Sequence, residues 1–164
     1  IPFFMSIASD GVLPITDNRM TRFMISLEEA VELVWHCFED MRGGEIYVKK
    51  IPSMKVTDIA LAVDENAKQE EIGIRPGEKL HEEMITVTDS INTVEFDDYY
   101  AIAPNSDYIS WDKEKFLNES NENPGKYCED GFSYNSGTNP HFLTVEEIRD
   151  LIIKNVPGGE DINA

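Results

Sequence analysis

A chain of 164 residues with 41% hydrophobic content is long enough to bury one ordinary core, and its 14 basic against 32 acidic residues leave a net charge of −18. Such a charge repels nucleic acid phosphates and anionic lipid at long range, so neither is an expected partner. No apolar run approaches the roughly 18 residues of a membrane span and no basic secretory flank opens the chain, which points to a cytoplasmic protein, and Cys37 and Cys128 have no spacing that suggests a disulfide framework or a zinc site.

The opening run Ile1-Pro2-Phe3-Phe4-Met5 is apolar with no polar cap before it, which is how a sequence reads when it enters midway through a larger protein. A turn is expected at Asp10-Gly11, then a short strand over Thr21–Ile25. Ser26 with Glu29 forms a capping box for a helix whose Leu27, Ala30, Val31, Val34, Phe38 and Met41 share an apolar face, and Gly43-Gly44 stops it. Glu45–Lys49 reads as a strand, Val56, Ile59, Ala60 and Val63 as a second amphipathic helix, and Glu71–Ile74 as a further strand, the rhythm of an α/β domain to about residue 103. Residues 105–140 are dense in Asn, Ser, Gly, Asp and Glu and read as a polar excursion, partly disordered. Thr144 with Glu147 caps a last helix within residues 141–156, and 157–164 reads as a disordered tail.

The stretch Ile74-Arg75-Pro76-Gly77-Glu78-Lys79-Leu80-His81-Glu82 places a strand end, a Pro-Gly turn and an expected helix start within nine residues, so an arginine and free N–H groups would face one anion. His81-Glu82 does not continue into an HExxH zinc motif, His36 reads as a helix-face residue, and Asp97-Asp98 as a solvated strand end rather than a catalytic pair. The sequon Asn118-Glu119-Ser120 carries no weight in a cytoplasmic chain.

Leu13-Pro14-Ile15-Thr16-Asp17-Asn18-Arg19-Met20-Thr21-Arg22-Phe23-Met24-Ile25-Ser26-Leu27-Glu28-Glu29-Ala30, taken with Ile1–Phe4, Lys50–Lys55 and Gly73–Glu82, resembles the substrate-binding region of extended short-chain dehydrogenase/reductases. The order and spacing look like the inverting UDP-N-acetylglucosamine 4,6-dehydratase branch, over residues 1–104. This resemblance implies an α/β fold, α+β in isolation: residues 1–104 as the substrate-binding region, with the dinucleotide-binding domain largely missing. It implies Arg22 and Arg75 as ligands of a UDP-sugar diphosphate, Glu78 as acceptor for the ribose hydroxyls, and Ile1 and Pro2 beside the uracil. Two guanidinium forks suit a diphosphate and a carboxylate suits a vicinal diol.

The family reaction passes hydride from C4 of the sugar to NADP, eliminates water across C5 and C6, and returns hydride to C6 with inversion at C5. The G-x-G-x-x-G fingerprint and the tyrosine–lysine pair that serve it do not occur in this sequence. No catalytic, cofactor or metal residue is therefore expected here, NADP belongs to the parent enzyme, and the fragment by itself is expected to be inactive. Glu45–Lys49 is expected to belong to the missing domain's sheet, which would leave an edge free for homo-oligomerisation. A UDP-hexosamine epimerase fragment and an acidic protein-interaction domain derived from the fold are the alternatives.

Overall fold

The computed structural model describes residues 1–104, 117 and 124–163. The chain divides into two compact units that interleave along the sequence. The first takes Ile1–Met24, Pro52–Glu82 and Ser136–Ala164, and the second Ile25–Ile51 and Glu83–Asn135.

In the first unit, Pro2 sits at the start of α1 (Pro2–Ile7), where its missing N–H costs nothing. A 3-10 turn (Ala8–Asp10) follows, and Gly11 takes φ 69° to reverse the chain into β1 (Val12–Ile15). β1 pairs in parallel with β5 (Lys68–Glu71), while β2 (Thr21–Phe23) pairs antiparallel with β4 (Ser53–Lys55). The strand expected at Glu71–Ile74 thus lies three residues earlier, because Lys68 and Ile72 donate their N–H groups to Gly11 and Ile15 and fix the register.

Between these strands α3 (Val56–Val63) is apolar on most sides, with Ile59, Ala60, Ala62 and Val63 all buried. Ile59, Ala62 and Val63 meet Ile148 and Ile152 of α5 (Val145–Asn155), together with Met54 and Leu143. Ala60 meets Leu13, Ile15 and Ala67. The tail is not the expected disordered end: Gly159–Asn163 forms a 3-10 turn whose Ile162 packs against that core.

The second unit is built on an antiparallel sheet in the order β3-β8-β7-β9, formed by Ile46–Lys49, Tyr99–Ile102, Thr93–Glu95 and Lys126–Tyr127. β6 (Glu83–Ile85) and β10 (Tyr134–Asn135) make a separate antiparallel pair, and the short α4 (Val87–Ser90) has its own Thr86/Asp89 capping box. Within the polar stretch 105–140, residues 105–116 and 118–123, the sequon Asn118–Ser120 among them, lie outside the described residues, and the described part contributes β9 and β10. Asp97-Asp98 is the turn of the β7–β8 hairpin, as a solvated strand end would be.

Two placements differ from the sequence reading. β3 pairs antiparallel with β8 of this same chain rather than waiting for an external sheet, and its other edge has no strand partner among the described residues. The helix α2 (Leu27–Asp40) forms with its Ser26/Glu29 box, but buries none of its residues. Its apolar stripe faces solvent, with Leu27 81% and Phe38 70% exposed. The face near the sheet is polar instead: Asp40 Oδ2 accepts the Tyr47 and Tyr99 hydroxyls at 2.8 and 3.2 Å, and the His36 ring lies 4.7 Å from that of Tyr99. Burial and the Asp40 charge push the Tyr47 hydroxyl well above its ordinary pKa, so it remains a donor.

Candidate functional site

Arg22 occupies the middle of β2, opposite Met54 on β4. Met54 belongs to the main apolar cluster of its unit, which anchors the strand. The guanidinium is held before any ligand arrives: Nη1 donates to Thr21 O at 2.7 Å and Leu80 O at 3.4 Å, Nη2 lies 3.0 Å from Met20 Sδ, and Nε stands 3.9 Å from Glu82 Oε1. At 29% side-chain exposure it is restrained yet reachable.

The Arg75–Glu78 segment is a tight turn, with Gly77 at φ 88°, a conformation only glycine adopts without strain. Two hydrogen bonds close it: Glu78 N–H donates to Arg75 O at 3.1 Å, and Arg75 N–H donates to Glu78 Oε2 at 2.9 Å. One carboxylate oxygen of Glu78 therefore staples the turn, leaving Oε1 as the acceptor it can offer outward. Arg75 is exposed, and its guanidinium has no partner among the described residues.

No helix follows this turn, contrary to expectation. Leu80 O accepts the Thr21 N–H at 3.1 Å, Glu82 Oε2 accepts the Phe23 N–H at 2.7 Å, and Ser136 exchanges hydrogen bonds with Glu82 at both N–H and carbonyl. With its polar groups committed to other segments, the backbone bends at Leu80-His81 and passes into β6 instead of starting a helix. An anion here is met by side chains and not by helix N–H groups. His81 turns toward β2, where its Nδ1 lies 2.8 Å from Thr21 Oγ1. The partners on β2 that hold this path, Thr21 and Phe23, are about 60 residues away in sequence.

Arg22 and the Arg75 turn are thus joined through one stretch of backbone. Leu80, which holds the Arg22 guanidinium, is two residues beyond Glu78, at most about 7 Å of chain. Ile1 and Pro2 are placed differently. Ile1 packs its side chain against the cluster containing Met54, and Pro2 is exposed at the start of α1.

Among the described residues no three His, Cys, Asp or Glu side chains are grouped to hold a metal ion, and no helix is long and apolar enough to cross a membrane. Among the described residues the strand-to-helix junctions carry side chains where a pyrophosphate needs glycine: β4 enters α3 through Lys55-Val56, β2 enters α2 through Met24-Ile25-Ser26, and β6 enters α4 through Thr86.

Residues 1–104 match the family model described as polysaccharide biosynthesis protein. The chain is 49% identical over 154 residues, 93% of its own length, to the inverting UDP-N-acetylglucosamine 4,6-dehydratase of Campylobacter jejuni, and covers 46% of that protein. It is 31% identical over 158 residues to the UDP-glucose 4-epimerase of Rickettsia canadensis, covering 44% of it. The X-ray structure of Pen from Bacillus thuringiensis superposes with a TM-score of 0.72 at 30% identity, over 93% of this chain and 44% of that one. The chain spans about half the length of the curated relatives it matches. It belongs, as a partial-length member, to the polysaccharide biosynthesis protein family of extended short-chain dehydrogenase/reductases.

Proposed function

We propose that this chain is the nucleotide-sugar grip of a cytoplasmic, NADP-dependent UDP-N-acetylglucosamine 4,6-dehydratase that makes precursors for surface polysaccharide. Arg22 and Arg75 bracket the diphosphate, the outward oxygen of Glu78 accepts from the ribose hydroxyls, and the backbone at Ile1 and Pro2 borders the uracil. The observation that carries this reading is the shared stretch at Leu80, which ties the restrained arginine of β2 to the turn presenting the unpartnered one. A pre-oriented guanidinium loses little freedom on binding an anion, and a second one supplies the charge that a protein of net −18 otherwise lacks.

The redox chemistry belongs to NADP, held with a tyrosine–lysine pair in the half of the parent enzyme outside this chain. The residues here bind and orient the sugar, and the isolated chain is inactive. The same missing half covers the apolar stripe of α2 and the open edge of β3, which otherwise invite a second copy. Chromatography with in-line light scattering separates those two cases, since self-association through the edge makes the apparent mass rise with concentration.

Calorimetry with UDP tests the grip. The expected affinity lies between millimolar and high micromolar, about 4–6 kcal/mol. Arg75→Ala removes a charge-assisted contact of about 1.5–3 kcal/mol and should weaken binding at least about tenfold. Arg149→Ala should change it little, because that guanidinium is spent on the Ala62 and Leu61 carbonyls at 3.3 Å. Equal effects of the two substitutions, or no binding at millimolar UDP, would sink the proposal. The 31% identity to a UDP-glucose 4-epimerase supports a second reading, an epimerase with the same grip. Assay of the full-length enzyme for loss of water from UDP-N-acetylglucosamine distinguishes them.

A further inference from the structure

Three segments of the first unit meet at a chain of hydroxyls that the nucleotide grip does not itself use. Ser136 and Thr21 are buried, at 0% and 5% exposure, and their hydroxyl oxygens lie 2.7 Å apart. Glu82 N–H donates to Ser136 Oγ at 2.8 Å, and Thr21 Oγ1 lies 2.8 Å from His81 Nδ1. These distances close one run of hydrogen bonds in a single direction. The Glu82 amide donates to Ser136, the Ser136 hydroxyl to Thr21, and the Thr21 hydroxyl to His81 Nδ1, so every proton finds an acceptor.

The opposite direction fails. With a proton on Nδ1, Thr21 Oγ1 accepts from the ring, and only one of the Thr21 and Ser136 hydroxyls can donate across the 2.7 Å between them. The other buried hydroxyl proton would then have no acceptor among the described residues, a costly arrangement away from water. Gly137 fixes the ring from the other side. A Cβ at that position would stand 2.6 Å from His81 Nδ1, inside any permitted contact, so the imidazole lies against bare backbone.

We infer that His81 is a positioning residue of the nucleotide-sugar site, acting as the neutral Nε2–H tautomer whose Nδ1 terminates this relay. It touches no ligand. It locks β2, the 80–82 stretch and Ser136 together, and the two carbonyls that hold Arg22 Nη1, those of Thr21 and Leu80, belong to the locked segments. The consequence for ligand binding rests on the nucleotide-grip reading. The placement of Arg22 does not.

The test uses the full chain with 15N-labelled histidine. The His81 resonances should show Nδ1 unprotonated and Nε2 protonated, and a protonated Nδ1 in the neutral ring would overturn the inference. His81→Leu should speed hydrogen exchange at the Glu82 amide by at least about tenfold and weaken UDP binding by a similar factor. His81→Asn, whose amide oxygen can reach the Nδ1 position, should restore both to within about threefold. An asparagine variant as damaged as the leucine one, or a leucine variant like the parent, would also overturn it. Should His81→Leu not fold, Gly137→Ala displaces the ring without removing it and must produce the same faster Glu82 exchange. If the parent chain shows the expected tautomer and exchange yet binds no UDP, the nucleotide grip is wrong and the positioning of Arg22 stands.

Discussion

Asp17 shows how a single exposed partner sets the ionisation of a nearly enclosed carboxylate. Its oxygens accept from Arg19 Nε and Nη2 at 3.0 and 2.7 Å and from the Arg19 N–H at 2.8 Å. That side-chain pairing, helped by the backbone bond, holds the Asp17 carboxyl down at about 2. A carboxylate depressed in the folded state adds stability that is fully present above its unfolded pKa of about 4 and is lost as pH falls through 2. Arg19→Ala should therefore raise the Asp17 midpoint by about one unit or more in a carboxyl-carbon NMR titration. The variant should be less stable than the parent above pH 4 and equal to it below pH 2. An unmoved midpoint would mean the bidentate contact does not persist in solution.

Among elements, α2 and α5 carry the same capping box and similar amphipathic spacing, but only α5 buries its stripe. Ile148 and Ile152 are fully enclosed, so Ile148→Ala should cost about 2–5 kcal/mol in urea unfolding. Phe38→Ala on α2 should stay within about 0.5 kcal/mol. A large loss at Phe38 would show that α2 packs its apolar face within this chain. The comparison also marks where the sequence could be read. Capping boxes and helical periodicity are local, so both helices were legible. Which face of α2 turns inward was not, because it depends on Asp40 meeting two tyrosines from other strands. The stretch after Gly77 misled for the same reason: Leu80 and Glu82 answer to β2, and no feature within nine residues announces that. Arg22, Arg75 and Glu78 were singled out by family resemblance and not by any local pattern, and the use of one Glu78 oxygen as a turn staple appears only in three dimensions.

At the scale of the molecule, the polypeptide passes from one unit to the other four times, at 24/25, 51/52, 82/83 and 135/136. No single cut can free either unit, and neither can be expressed as one continuous segment. A chain ending at Asn135 retains every segment of the second unit but lacks Ser136, Leu143, Ile148 and Ile152 of the first. It should keep the near-ultraviolet dichroism of the Tyr47, Phe96 and Tyr99 cluster, lose the cooperative unfolding of the first unit, and bind no UDP. Loss of the aromatic signal as well would show that the second unit depends on the first for its folding. The same interleaving sets a timetable during synthesis. The second unit has all its residues once Asn135 leaves the ribosome, whereas the first, begun earlier with Ile1, waits for α5 at the end of the described chain. Arg22 and Arg75 are therefore translated early and locked late, and in a nascent chain stalled before Ser136 the Leu80 and Glu82 contacts to β2 that relate them lack both the Ser136 hydrogen bonds and the α5 side of the core.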